Sequence, residues 1–178
     1  MLNIKNMTIR TIRTYPDPVL RNKTGRVEKI DGSLDRLIED MIETMHAAPG
    51  VGLAANQVGV PLQLAVIDLS GRENVEQRHP LFVIINPEIL LSVGSIVEEE
   101  GCLSIPDYSE KVKRAAKVKV RAQDRTGKPF EIEAEGLLAK ALQHEIDHLN
   151  GLLFVDRLSP LKKNIFKRRF KKTAVEKA

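Results

Sequence analysis

The sequence predicts an α+β fold in a single domain, with antiparallel or mixed strands packed around a central helix and a further helix at the C-terminus. Three observations lead there. The chain has 178 residues, which suits one domain with a sizeable core. Short aliphatic runs bounded by Gly or Pro read as buried strands, and one turn reads as a hairpin. Helically periodic stretches stand segregated among these strands.

The elements follow in order. After Asp31-Gly32-Ser33, the residues Leu34, Leu37, Ile38, Met41 and Met45 recur at helical spacing, and Pro49-Gly50 ends the pattern. Residues 50–57, Gly-Val-Gly-Leu-Ala-Ala-Asn-Gln, read as a glycine-rich turn. Residues 62–69 and 81–86 are short and aliphatic, as buried strands are. Residues 95–104 form an extended run carrying Glu98, Glu99, Glu100 and Cys102. Residues 111–123 alternate apolar and basic side chains, as in one half-exposed strand. Asp124-Arg125-Thr126-Gly127 turns that strand into 129–135 and makes a hairpin. A second helix, 136–149, closes on Asn150-Gly151 in the manner of a helix C-cap. On it Leu137, Ala141, His144 and His148 fall within about 60° of one another. Leu138, Leu142, Ile146 and Leu149 occupy a separate apolar arc, so this helix is buried on two faces and its histidines turn away from the main aliphatic packing. Ser159-Pro160 starts a last helix, with Ser as N-cap and Pro in the first turn.

Composition narrows the class. A hydrophobic fraction of 42% and a charged fraction of 29% are ordinary for a globular protein; with 4% aromatics and no Trp, the core must be mostly aliphatic. No apolar run approaches the roughly 20 residues that span a bilayer, and the first residues lack the apolar stretch of a secretory signal. The single cysteine forms no internal disulfide, so a cytoplasmic location is expected. That thiol is buried filler, a nucleophile or a metal ligand. The net charge of +4 is unevenly spread: residues 161–178 hold eight Lys/Arg against one Glu, a balance of +7, which leaves −3 (+4 minus +7) for the rest.

The sharpest local signal is His144-Glu145-Ile146-Asp147-His148. Imidazoles at i and i+4 on one helix face can bind one metal, with the intervening Glu on the shoulder of the site. The plain alternative is two core histidines with a surface Glu between them. A catalytic zinc-type site needs a third protein ligand and an open position for water. Downstream of the motif there is no His, and no Glu before Glu176. Upstream, Glu100-Gly101-Cys102-Leu103-Ser104 holds the thiol, which read alone remains filler, nucleophile or ligand.

Together the 50–57 segment, Glu100-Gly101-Cys102-Leu103-Ser104 and His144-Glu145-Ile146-Asp147-His148 resemble the three signature motifs of peptide deformylases, in that family's order and approximate spacing. Ile105-Pro106, the turn from Asp124 to Pro129, Glu135-Gly136-Leu137-Leu138-Ala139 and Leu158-Ser159-Pro160-Leu161 extend the resemblance. It covers about 8–161 as a catalytic body, with 162–178 as a basic tail, in a single 1–178 domain.

The resemblance implies a metal-dependent hydrolase that removes the N-formyl group from the N-terminal methionine of newly synthesised proteins and releases formate. It implies Cys102, His144 and His148 as ligands on the central metal-binding helix and the cysteine run. They would hold one divalent metal per chain: ferrous iron physiologically, with zinc, nickel or cobalt able to substitute. Glu145 is then the general acid/base, and the Gln57 amide and Leu103 N–H are the oxyanion donors. Gly50, Val51, Gly52, Leu137 and Ala141 are expected to bind substrate, the glycines by letting backbone approach it. Lys140 departs from the apolar residue expected in a slot for methionine. Glu100 and Asp147 are expected to orient ligand histidines or to pair with Arg114.

Two other functions are weighed. A general zinc endopeptidase lacks its downstream third ligand here. A ribosome-associated protein with a structural metal would have no need of Glu145 and Gln57. The partners implied are formyl-methionyl nascent peptides and, through the tail, the ribosome, with no membrane and with the chain acting as a monomer. In the tail, Leu161 and Ile165 are expected to anchor the helix root. Because the tail carries none of the three motifs, cutting after Ser159 is expected to spare turnover of short peptides.

Overall fold

The computed structural model describes residues 8–72 and 80–176, with side chains as far as Lys171. Its amino-terminal half is α1 (Gly32–Ala47), β1 (Gly52–Ala54), β2 (Leu64–Ile67) and β3 (Phe82–Val93). Then follow β4 (Ile96–Cys102), β5 (Ile105–Arg114), β6 (Lys117–Gln123), β7 (Pro129–Glu135), α2 (Gly136–Leu149) and α3 (Pro160–Glu176). The strands form a five-stranded antiparallel sheet in the order β1-β2-β3-β6-β7, and β4 and β5 pair separately. The α+β expectation holds. The first seven of the residues read as lacking a secretory signal lie outside the described part.

Local chemistry sets the ends of the elements. The Asp31 carboxylate accepts the backbone N–H of Ser33 at 2.9 Å and of Leu34 at 3.3 Å, capping α1. In the hairpin, the Asp124 carboxylate accepts from Thr126 and Lys128, and Gly127 takes a φ of +86°. Past α2, Gly151 takes a φ of +74° as the chain reverses.

The five-stranded sheet separates α1 from α2. Along β2, which is buried throughout, Leu64 and Val66 face Leu37, Ile38, Met41 and Met45 of α1. The alternate residues Ala65 and Ile67 face Leu138, Leu142, Ile146 and Leu149 of α2. A strand covered on both faces is a continuous apolar run, as observed.

The structure departs from the sequence reading in four places. Within the glycine-rich segment, residues 52–54 are a strand and Ala55–Val58 a 3-10 turn. The strand expected to stop at Asn86 runs on to Val93: Asn86, at a φ of +52°, sits at an irregularity in the pairing, and beyond it Pro87 costs no ladder continuity. Asn86 also bonds Val27 and Gln123 by its side chain. The single strand expected over 111–123 is two, since the chain leaves one sheet for the other at Ala115-Ala116. The Gln143 amide accepts from the Ala115 N–H and donates to its carbonyl, each at 3.0 Å, replacing the interrupted ladder.

The fourth departure concerns α3. Leu161 and Ile165 are 70% and 53% exposed and do not anchor it. Phe166 does: it is buried with Leu20, Ile105, Phe154 and Leu158, and its ring meets Tyr15, Tyr108 and Phe170. A cut after Ser159 therefore removes part of the core. Phe166→Ala is expected to cost about 3 kcal/mol or more in urea denaturation, the usual range for a truncated buried Phe, whereas Ile165→Ala should cost well under half of that.

Candidate metal centre

Strand β4 delivers Cys102 and helix α2 delivers His144 and His148. Their ligand atoms all lie within 4.8 Å of one another, and Cys102 Sγ is 3.1 Å from His148 Nε2. A tetrahedral metal bonded to sulfur at about 2.3 Å and to nitrogen at about 2.0–2.1 Å calls for donors roughly 3.3–3.6 Å apart. One thiolate and two imidazoles grouped this closely are a donor set suited to a borderline-soft divalent ion.

One histidine is held from behind, while the buried Nδ1 of His148 has no hydrogen-bond partner among the described residues. His144 Nδ1 lies 2.9 Å from Glu100 Oε2, which leaves its Nε2 for the thiol side. The Glu100 carboxylate also accepts two bonds, of 2.7 and 2.9 Å, from the buried Arg114 guanidinium, which in turn donates to Asp147 at 2.5 Å. Arg157 closes the network on both oxygens of Asp147. Glu100 and Asp147 are thus buried partners of Arg114, as expected, and not surface carboxylates. Burial opposes ionisation of Glu100, yet the hydrogen bonds from Arg114 and His144 pull its carboxyl down to about 2. For His144, burial works against the charged form, but hydrogen bonds to Cys102 and Glu100 hold its pKa well above the ordinary value. Burial, and then the charge on His144, push His148 well below its own.

Glu145 and Gln57 flank this trio. Glu145 is buried, and its Oε2 has no hydrogen-bond partner among the described residues. Burial is the main cause that raises its carboxyl to about 7, against the opposing charge of His144. Gln57 Oε1 accepts the Ala54 N–H at 2.9 Å, which orients the amide so that Nε2 donates to Ser104 Oγ at 3.0 Å and faces Cys102 Sγ at 3.7 Å.

Both glycines of the first motif answer to neighbours within the chain. A Cβ on Gly52 would overlap the Glu145 carboxylate, and one on Gly50 would come 2.7 Å from Leu103 Cδ1. The close approach seen at these glycines is to the Leu103 and Glu145 side chains, where the sequence reading expected approach to substrate.

A cavity of about 630 Å³ opens over the trio. Gly50, Val51, Gly52, Gln57, Cys102, Leu103, Leu137, Ala141, His144 and Glu145 all line it, whereas His148 lies behind its wall. Lys140, Arg72 and Tyr108 also reach it. Sequence reasoning assigned nothing to three residues near the trio. Asn56 donates to the His148 carbonyl at 2.6 Å, Ser104 receives the Gln57 amide, and the Phe154 ring stacks near His144 at 6.3 Å between centroids. Asn56 and Ser104 lie inside the motifs, which was the available signal; Phe154 carried none.

Comparison with known proteins shows the family to which the chain belongs. The polypeptide deformylase family matches residues 9–164. A peptide deformylase of Syntrophobacter fumaroxidans is 56% identical over 170 residues, covering 96% of this chain and 98% of that protein. One from Thermodesulfovibrio yellowstonii is 53% identical over 165 residues, covering 93% and 98%. Among solved structures, a peptide deformylase of Legionella pneumophila superposes with a TM-score of 0.85 at 52% identity, covering 96% of this chain and 98% of that one. One from Ehrlichia chaffeensis in complex with actinonin gives 0.86 at 40% identity, covering 94% and 98%.

The donor geometry generates a direct expectation. Protein purified anaerobically should carry about one divalent metal per chain, and Cys102→Ala, His144→Ala and His148→Ala should each lower that to a small fraction. Elemental analysis of the folded variants measures it. Full metal content in Cys102→Ala would remove the thiol from the donor set.

Proposed function

This chain belongs to the polypeptide deformylase family, and from that premise we infer that it hydrolyses the N-formyl group from the N-terminal methionine of newly made proteins. The observation that carries the reading is the grouping, at the base of one cavity, of a thiol, an imidazole with a second imidazole just behind it, an unpartnered buried carboxylate and an oriented carboxamide.

Cys102, His144 and His148 hold the metal, which when bound supplies Lewis acidity toward water and the formyl oxygen. Ferrous iron is the physiological ion in this reading, and zinc, nickel or cobalt suit the same donors. Glu145 takes a proton from the attacking water and passes it to the departing amine as the carbon–nitrogen bond breaks; the products are formate and a free N-terminus. Its buried, unpaired Oε2 supports that role. Gln57 donates its amide to the oxyanion that develops on the formyl carbon, and the Leu103 N–H acts beside it. The Ala54 bond to Oε1 supports this, because it prevents the amide from presenting its oxygen to a developing negative charge. Gly50, Val51, Gly52, Leu137 and Ala141 receive the peptide and its first side chain, a reading supported by their common place on the cavity wall.

The metal-loaded protein should release formate from formyl-Met-Ala-Ser and leave the internal bonds of an unformylated peptide intact. Glu145→Gln should keep the metal and lose about 10²–10⁴ in kcat, the scale of a positioned acid/base. Gln57→Ala should lose about 10²–10³, the scale of one oxyanion donor. A Glu145→Gln enzyme with normal turnover would sink the acid/base assignment.

The chain acts in the cytoplasm as a monomer, at the ribosome. No helix among the described residues is long and apolar enough to cross a membrane. Helix α3 supports docking to a phosphate-rich surface: its inner side is tied down by Phe166, and Lys167, Arg168 and Lys171 are exposed. Because the helix contributes to the core, surface charges are the proper target of a test. Changing these three residues to Ser should weaken co-sedimentation with ribosomes at low salt and flatten its salt dependence, with the fold retained. Unchanged ribosome binding would take the docking role away from α3.

A further inference from the structure

On α2, Leu137, Lys140, Ala141 and His144 share one face at i, i+3, i+4 and i+7, and all four line the cavity. Lys140 lies one turn from His144, about 6 Å along the helix axis, a distance an unbranched side chain of methionine's length can span. The wall that meets the end of the first side chain is therefore not wholly apolar. The Lys140 side chain is 19% exposed, and its ammonium is fixed by two acceptors on β4: Glu98 Oε2 at 3.0 Å and the Glu99 carbonyl at 3.2 Å. Glu99 lines the cavity as well. An ammonium has three donors, so these two contacts leave one uncommitted beside the cavity that Lys140 lines.

We propose that Lys140 is a specificity-determining residue that lets this enzyme deformylate chains whose first residue is methionine sulfoxide. The inference rests on the deformylase reading of the site. Oxidation turns the thioether into a polar group with a strong acceptor oxygen, which an apolar slot would leave unpaired. A lysine held at the slot's end by Glu98 supplies a charge-assisted hydrogen bond to that oxygen, while its methylene stem still packs against the unoxidised side chain. The reaction itself is unchanged: water adds to the formyl carbon, the carbon–nitrogen bond breaks, formate leaves, and the sulfoxide stays oxidised.

The test compares kcat/KM for formyl-Met-Ala-Ser and its methionine-sulfoxide counterpart in the wild-type protein, in Lys140→Met, which cannot donate, and in Lys140→Gln, which can. Lys140→Met is expected to lower the sulfoxide-to-thioether ratio by about tenfold or more, the size of one charge-assisted hydrogen bond. Lys140→Gln should recover part of that ratio, and each ratio is internal to one protein preparation. Affinity for the product peptides Met-Ala-Ser and its sulfoxide form, measured by calorimetry, should shift in the same direction. An equal or higher ratio in Lys140→Met, with the thioether peptide still deformylated, would overturn the role of Lys140 alone. No formate from either peptide in the wild-type protein would overturn the deformylase reading and this inference with it.

Discussion

The structure around the metal donors depends on one buried cation. Arg114, on β5, is 1% exposed at its side chain and lies between Glu100 of β4 and Asp147 of α2, which are 3% and 8% exposed. Burying these charges is tolerable only because each is paired and hydrogen-bonded; removing one member would leave an uncompensated charge, at a cost of about 3–5 kcal/mol. The same contacts reach the candidate site. Glu100 can take the Nδ1 side of His144 because Arg114 keeps it ionised, and Asp147, three residues further along α2, pins the helix to β5 and to Arg157. An ion-pair network thereby joins the cysteine strand to the histidine helix.

A second layer of constraint comes from the segment around β1. It lies beside β2 in the main sheet, and its 3-10 turn brings Gln57 against Ser104 and Asn56 against the last turn of α2. Gly52 allows the Glu145 carboxylate to lie where any side chain would exclude it. The three motifs are therefore mutually packed parts, each in contact with side chains of another.

The third layer joins the tail to the site. Phe166 and Phe170 of α3 meet Tyr108, which lines the cavity and lies 6.0 Å from the Phe154 ring, and Phe154 in turn stacks by His144. Arg169 donates to the Asp107 carbonyl and sits 5.6 Å from the Tyr108 ring. The helix with the greatest positive charge thus packs against residues of the cavity wall. It is structurally part of the body it was expected merely to follow.

What the sequence determined by itself was largely a matter of short-range periodicity and spacing. His144 and His148 share a helix face because a helix repeats every 3.6 residues, and the capping residues of α1 and the hairpin turn act over a few positions. The metal-donor trio was legible because three motifs together resembled one family, although no local rule tied Cys102 to α2. The tertiary structure alone decided the rest. Whether residues 111–123 formed one strand or two depended on Gln143, distant in sequence, taking over the backbone bonds of Ala115. Which apolar residues of α3 were buried depended on the aromatic cluster that receives them, so Phe166 is core and Leu161 is not. The pairing of Lys140 with Glu98 likewise joins residues 42 positions apart. Such choices are made by contacts between elements, and a linear pattern records only which side chains are available to make them.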